Sequence, residues 1–155
     1  AGAALAQAAA MFWFGNKRDK AVEQAELYLR SIFSGLAPPD GEPLPLRTFA
    51  DPYVVGFLEV LTTHAVATVY RFRMPDPQAI VAIMAEALDR MAFGYGGAAR
   101  SAVIQHGSPT GELHHQYQRG REDGVEHVRT LFVHDGIARN EPHRMFRDYV
   151  RRHYL

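Results

Sequence analysis

Apolar residues recur at intervals of three and four along most of the chain, which is the pattern of amphipathic helices. After Asn16 this pattern continues to Leu36 and predicts a first helix that ends near Gly35. A second helix is predicted over about 52–73, and because it is apolar on nearly all sides we expect it at the centre of a bundle. Further helices are predicted over about 77–93, 98–105, 109–134 and 142–153.

Proline closely follows an N-cap type residue at the starts of four of these helices, in Asp51-Pro52, Asp76-Pro77, Ser108-Pro109 and Asn140-Glu141-Pro142. The polar side chain can accept a hydrogen bond from a free backbone N–H, and proline suits the first helical turn because it has no N–H to leave unpaired. No stretch alternates with a period of two, so no strand is predicted. We therefore predict an all-α fold, an antiparallel bundle of about five helices with the Pro-rich segment 37–50 as its one long crossover.

Glycines are placed unevenly along the helical pattern. Gly120 and Gly124 lie one turn apart on the inner face of the helix predicted over 109–134, where they would let a neighbouring backbone approach closely. The glycines of segment 94–97 instead predict a break or kink, because each costs roughly 1 kcal/mol relative to alanine inside a helix.

A chain of 155 residues is long enough for one domain with a substantial core. We expect residues 1–15 to be an N-terminal leader or mobile segment and residues 16–155 to be a single helical-bundle domain. The first segment ends in Phe12, Trp13 and Phe14, and Lys17 and Arg18 follow closely. These three aromatic residues are candidates for contact with a partner, and the aromatic-then-basic order also suits a membrane interface.

The overall composition excludes several classes of function. The 17 basic residues balance the 17 acidic ones, so no overall field attracts nucleic acid. The absence of cysteine excludes disulfides, thiol catalysis and thiolate metal sites, and it is compatible with the cytoplasm, which is the compartment we expect. No dinucleotide-binding, phosphate-loop, zinc-protease or nucleophile-elbow motif is present.

Histidine is concentrated in the last third of the chain, which holds seven of the eight. Asp123, His127 and His134 fall along one flank of the helix predicted over 109–134. Asp123 and His127 are four residues apart and therefore neighbours, so the carboxylate could orient the imidazole. These three residues are the candidate metal ligands, although boundary histidines bonded to their neighbours are the simpler interpretation.

Glu59 and His64 interrupt the most apolar helix. A buried carboxylate must be paired or protonated, and a buried imidazole usually finds a hydrogen-bond partner. We expect Arg90 or Arg100 to pair with Glu59, and Thr68 to serve His64. The alternative is that Glu59 and His64 line a cofactor pocket.

The last helix carries Arg144, Arg147 and Arg151 outside its apolar stripe, which indicates a solvated or partner-facing surface rather than a nucleic-acid site. Taken together, the sequence predicts a small soluble helical subunit for protein interaction, adaptor function or assembly, without catalysis or cofactor. Its partner would be another protein or a second copy, and peripheral membrane contact is a further possibility. The alternative is a metal- or cofactor-binding helical-bundle enzyme that uses a divalent metal and a His/carboxylate site on the helix over 109–134.

Overall fold

The computed structural model describes residues 2–131 and 141–155, and only the backbone at 8–15, 141 and 142. The described residues form six α-helices and one short 3₁₀ helix and contain no strand, with 78% helix, so the predicted all-α class is confirmed. The helices are α1 (Gly2–Phe33), the 3₁₀ helix (Leu46–Ala50), α2 (Pro52–Tyr70), α3 (Pro77–Met91), α4 (Tyr95–His106), α5 (His114–Leu131) and α6 (Glu141–Tyr154).

Of the four predicted caps, two are confirmed, the one at Ser108 is wrong, and Asn140 lies outside the described residues. The Asp51 carboxylate accepts hydrogen bonds from two backbone N–H groups at the start of α2, and Asp76 accepts one at the start of α3. After Ser108 the chain makes turns instead, closed by a bond from the Gly111 N–H to the Ser108 carbonyl, and α5 begins only at His114. The helical pattern also extends further back than Asn16, since α1 includes residues 2–15; the division into a leader and a domain stays a prediction.

The expected interruption at the glycines of segment 94–97 falls at their first member. Gly94 has a φ of 90°, a conformation that favours glycine, and α4 begins at the next residue. Gly96 lies inside α4, where its N–H donates to the Asp89 carboxylate at 2.8 Å and a Cβ would overlap the Ala85 carbonyl oxygen. This glycine therefore joins α3 and α4 closely rather than ending a helix.

Helix α2 lies at the centre of the described fold. Its first seven residues, 52–58, are all buried, and α1 runs antiparallel to it, with Lys17 beside Tyr70 and Tyr28 beside His64. By length and composition α2 is also the one described helix that could cross a membrane, but 56% of its apolar window is buried inside the fold. More than half of this window therefore lies in the core of the described fold.

Helices α2 and α5 meet backbone to backbone through three glycines. A Cβ on Gly120 would overlap the Tyr53 carbonyl oxygen, one on Gly56 would overlap a carbonyl of α5, and one on Gly124 would lie 3.0 Å from the Cβ of Val60. The expected close approach at Gly120 and Gly124 is thus confirmed. The contacts advance in the same direction along both helices, so α2 and α5 are parallel.

Helix α6 packs across α2 and the end of α1 through aromatic rings. The fully buried Phe146 ring lies 4.2 Å from Phe57 and 5.7 Å from Phe33, between ring centroids. Tyr149 lies 4.4 Å from Tyr53. Because α6 runs antiparallel to both α2 and α5, its outer face and the facing side of α5 form the walls of a cleft.

Candidate functional site

The Asp51 carboxylate connects the start of α2 to the end of the chain. One oxygen accepts the Tyr53 and Val54 N–H groups at 2.8 and 3.2 Å. The other oxygen accepts the Tyr149 hydroxyl at 2.8 Å and also the Tyr154 hydroxyl. Both oxygens of this buried carboxylate are therefore occupied, and its evident role is to hold α6 against α2.

A second tyrosine and carboxylate pair also begins in the first turn of α2. The Tyr53 hydroxyl donates to Asp123 on α5 at 2.6 Å. Burial, followed by the bond to Asp123 and the charge of that carboxylate, raises the pKa of Tyr53 far above its usual value, and Arg119 opposes this only weakly. Burial and the bonds to Asp51 raise the pKa values of Tyr149 and Tyr154 in the same way. All three hydroxyls stay protonated and cannot act as bases near neutral pH.

The cleft between α5 and α6 opens beside these pairs and has a volume of about 490 Å³. Its walls combine apolar, aromatic and charged side chains from three helices. They are Tyr53 from α2, Gln116, Arg119 and Asp123 from α5, and Met145, Asp148, Tyr149, Arg152 and His153 from α6.

Some charged side chains of the cleft are bonded to neighbouring residues, and others are not. Asp148 accepts from Arg151 at 3.3 Å, and the His153 Nδ1 donates to the Tyr149 carbonyl at 2.9 Å. No ion pair or hydrogen bond joins the exposed guanidinium groups of Arg119 and Arg152 to any described residue. The cleft therefore presents two available cations above a floor of bonded tyrosines.

His127 lies one turn beyond Asp123 on α5, on the side of that helix that faces α2 and α6. Its ring packs 5.6 Å from Phe57 and 5.4 Å from His143, and the imidazole is only 7% exposed. Burial lowers its pKa to about 4, and His143 and His64 add to the effect. Within the described part of the chain, the Nδ1 of His127 and the Nε2 of His143 have no hydrogen-bond partner.

The predicted metal ligands do not form a complete set in the described residues. The Asp123 oxygen is bonded to Tyr53 rather than to the neighbouring His127, and His134 lies outside the described residues. Across residues 2–131 and 141–155, no group of three histidine or carboxylate side chains is placed to hold a metal ion.

The partners expected for Glu59 and His64 are wrong. Glu59 pairs with Arg121 of α5 at 3.5 Å, while Arg90 lies near Glu26. Burial raises the pKa of Glu59, and the Arg121 charge opposes this shift.

His64 packs edge-on against Tyr28, with 5.6 Å between ring centroids. The Thr68 hydroxyl, which was expected to serve His64, donates to the Ala65 carbonyl instead. Burial lowers the pKa of His64. Neither Glu59 nor His64 lines the cleft described above.

The predicted interaction residues have different surroundings. Arg147 donates to the Ile32 carbonyl at 3.2 Å, so it closes the C-terminal end of α1 and is not available to a partner. Arg151 is held by Asp148, whereas Arg144 is exposed. The backbone of Phe12, Trp13 and Phe14 belongs to α1, but their side chains lie outside the described residues.

The residues of the cleft other than Asp123 were not predicted from the sequence. Arg119 and Gln116 lie at helical spacing with Asp123, which could have marked a polar face of α5. Scans against models of protein families and searches of curated proteins and of solved structures found no match to this chain.

Proposed function

We propose that the protein is a non-catalytic interaction or assembly subunit that receives an acidic segment of a partner protein in the cleft between α5 and α6. The observation that carries this proposal is the pair of guanidinium groups of Arg119 and Arg152, which face the cleft without an ion-pair partner among the described residues. Arginine binds carboxylates through two parallel hydrogen bonds, so two of them favour an acidic ligand.

The other groups in the cleft support binding rather than catalysis. Tyr53 donates to Asp123 and Tyr149 donates to Asp51, so both hydroxyls take part in bonds that join the helices and form a fixed floor for a bound segment. Met145 is nearly half exposed at the cleft and offers a flexible apolar surface of the kind that interaction proteins use. The expected compartment remains the cytoplasm.

Fluorescence anisotropy with labelled peptides of equal length tests this proposal. We expect a Glu-rich peptide to bind, and Lys-rich and uncharged peptides to bind much more weakly. Arg119→Ala and Arg152→Ala should each weaken binding by roughly tenfold, because each removes charge-assisted hydrogen bonds worth about 1.5 kcal/mol or more.

Arg129→Ala is the matched control, since Arg129 is an exposed arginine of α5 that pairs with Glu126 outside the cleft. Equal binding of all three peptides would contradict the proposal, and so would an equal loss in the control. Sedimentation of the unmodified chain covers the second kind of partner, because self-association that both cleft variants abolish would identify a second copy as the occupant.

A metal- or cofactor-binding function is the second candidate, and the unpartnered ring nitrogens of His127 and His143 favour it. The low pKa of His127 keeps its imidazole neutral, as a metal ligand must be. Titration calorimetry with Zn²⁺ should then detect one site that His127→Gln removes, and the absence of heat would leave the interaction function alone.

For the fold, we propose that the helices form an antiparallel bundle of about five main members, with the Pro-rich segment 37–50 as the crossover. The antiparallel contacts of α2 with α1 and α6 support this arrangement. The parallel pair α2 and α5 fits alternating directions when α3 is the one main helix between them and the short α4 is not counted among the five.

A further inference from the structure

The end of the molecule where α2 stops has a basic surface. The antiparallel α1 places Lys17 and Lys20 beside the last residues of α2, around a pocket of about 400 Å³ that Arg71 and Phe72 also line. Lys20 and Arg71 are exposed, and so is Arg73 two residues later. Asp19 and Asp76 are the exposed acidic groups of the same segments, so basic charge predominates here.

A large apolar side chain stands in the middle of this basic surface. Phe72 is fully exposed, and Met74 is 38% exposed. The preceding residue, Arg71, has a φ of 57°, a backbone conformation that residues other than glycine rarely adopt. This turn ends α2 and holds the Phe72 ring in solvent between two arginines, a position that packing within the described part of the fold does not explain.

Helix α1 continues past this basic surface with an uncharged segment. Residues 1–16 contain no charged side chain, and the helical residues 2–16 correspond to a length of about 22 Å. Residues 2–7 are exposed at every position, with Leu5 72% exposed. The segment also contains Trp13, a residue type that favours the boundary between lipid and water.

We propose that this end of the molecule binds the surface of a membrane that contains anionic lipids. The uncharged part of α1 and the Phe72 ring enter the boundary between headgroups and acyl chains, while Lys20, Arg71 and Arg73 contact the phosphates. The order along α1, with apolar residues first and basic residues next, matches the order of hydrocarbon and headgroup in a bilayer. A protein partner would require neither this order nor a predominantly basic cluster.

This contact is separate from the cleft between α5 and α6. The cleft reaches Tyr53 at the first turn of α2, and the basic surface includes Tyr70 in its last turn, so about 25 Å of helix lies between them. The two proposals can therefore fail independently, because variants at one end leave the other end unchanged.

Flotation of the full chain with phosphatidylcholine vesicles, with and without phosphatidylglycerol, tests the proposal. We expect the protein to float only with the anionic vesicles, and to detach as the salt concentration rises. Phe72→Ser should reduce the bound fraction severalfold. The triple variant Lys20→Glu, Arg71→Glu and Arg73→Glu should weaken binding by at least about a hundredfold, since each basic residue near an anionic surface contributes roughly fivefold.

Two control variants match these changes in exposure and charge. Phe93→Ser alters an equally exposed phenylalanine at the other end of α3, and reversing Arg100, Arg129 and Arg144 changes the net charge by the same amount on other surfaces. Both controls should float like the unmodified chain. The proposal is overturned if the protein does not float with anionic vesicles, or if the control variants lose binding equally. If the chain does not float but self-associates, and Phe72→Ser abolishes that self-association, the occupant of this surface is a second copy.

Discussion

Helix α5 contacts α2 on one side and α6 on the other, and the two contacts are of different kinds. Towards α2 the contact is made by the backbone at Gly120 and Gly124, and no space remains for even one methyl group at Gly120. Towards α6 the contact is made by side chains, with the His127 and His143 rings at one end and a cleft at the other. The first side fixes the position of the helices, and the second leaves room in which a ligand can bind.

The largest expected effect is steric and belongs to the glycine side. Gly120→Ala should lower the free energy of unfolding by about 3 kcal/mol or more, because backbone atoms on α2 cannot move aside as a flexible side chain could. Gly124→Ala should cost less, since its nearest atom lies 3.0 Å away. Urea unfolding followed by circular dichroism measures both.

Gly97→Ala is the control for this glycine series, because nothing lies near a Cβ at that exposed position in α4. It should stabilise the protein by about 0.5–1 kcal/mol through helix propensity alone. If Gly120→Ala were tolerated as well as Gly97→Ala, the contrast between the two sides of α5 would be wrong.

An intermediate effect depends on pH and belongs to the side facing α6. The unfolded chain binds a proton at His127 near pH 6.5, whereas the folded chain does so only near pH 4. Between these values the unfolded state holds more protons, so stability is full above pH 6.5 and falls by about 2–3 kcal/mol as the pH approaches 4. His143 and His64 shift in the same direction and add to this loss.

Urea unfolding at a series of pH values measures this loss of stability. In His127→Gln the free energy of unfolding should depend less on pH. His115→Gln, a change at an exposed position of the same helix, should leave the profile as it is in the unmodified chain. An unchanged profile in His127→Gln would show that the acid sensitivity lies elsewhere.

The smallest effect concerns the bond from Tyr53 to Asp123. Tyr53→Phe should lower the free energy of unfolding by only about 1 kcal/mol, because the partly exposed Asp123 can accept from water instead. Tyr28→Phe serves as a control at a tyrosine whose hydroxyl has no hydrogen bond to a described residue, and it should be neutral in the same urea measurement. A loss above about 3 kcal/mol in Tyr53→Phe would mean that the side of α5 facing α6 is as sensitive to substitution as the glycine side.

Local features of the fold could be predicted from the sequence when the residues that determine them lie within one short segment. The caps at Asp51 and Asp76 and the close approach at Gly120 follow from residue chemistry within a few positions. The cap expected at Ser108 failed because competing turns continue through Gly111 before α5 begins.

The candidate site could be predicted only in part, because its partners lie far apart in the chain. Spacing made Asp123 and His127 neighbours, but the Tyr53 hydroxyl, 70 positions away, occupies the carboxylate. Glu59 likewise pairs with Arg121 because α2 and α5 run parallel, a relation that no local pattern contains. The second oxygen of Asp51 is bonded from α6, which only the packing of the helices reveals.

The glycine contact between α2 and α5 also sets an order of events during synthesis. The two helices that approach most closely are separated by α3 and α4, so the central helix emerges long before its glycine-bearing partner exists. Until α5 has been made, one face of the apolar α2 has nothing to cover it, and contacts between distant segments form slowly. Nascent chains that stop before α5 should therefore expose an apolar helix face, which is the feature that molecular chaperones recognise.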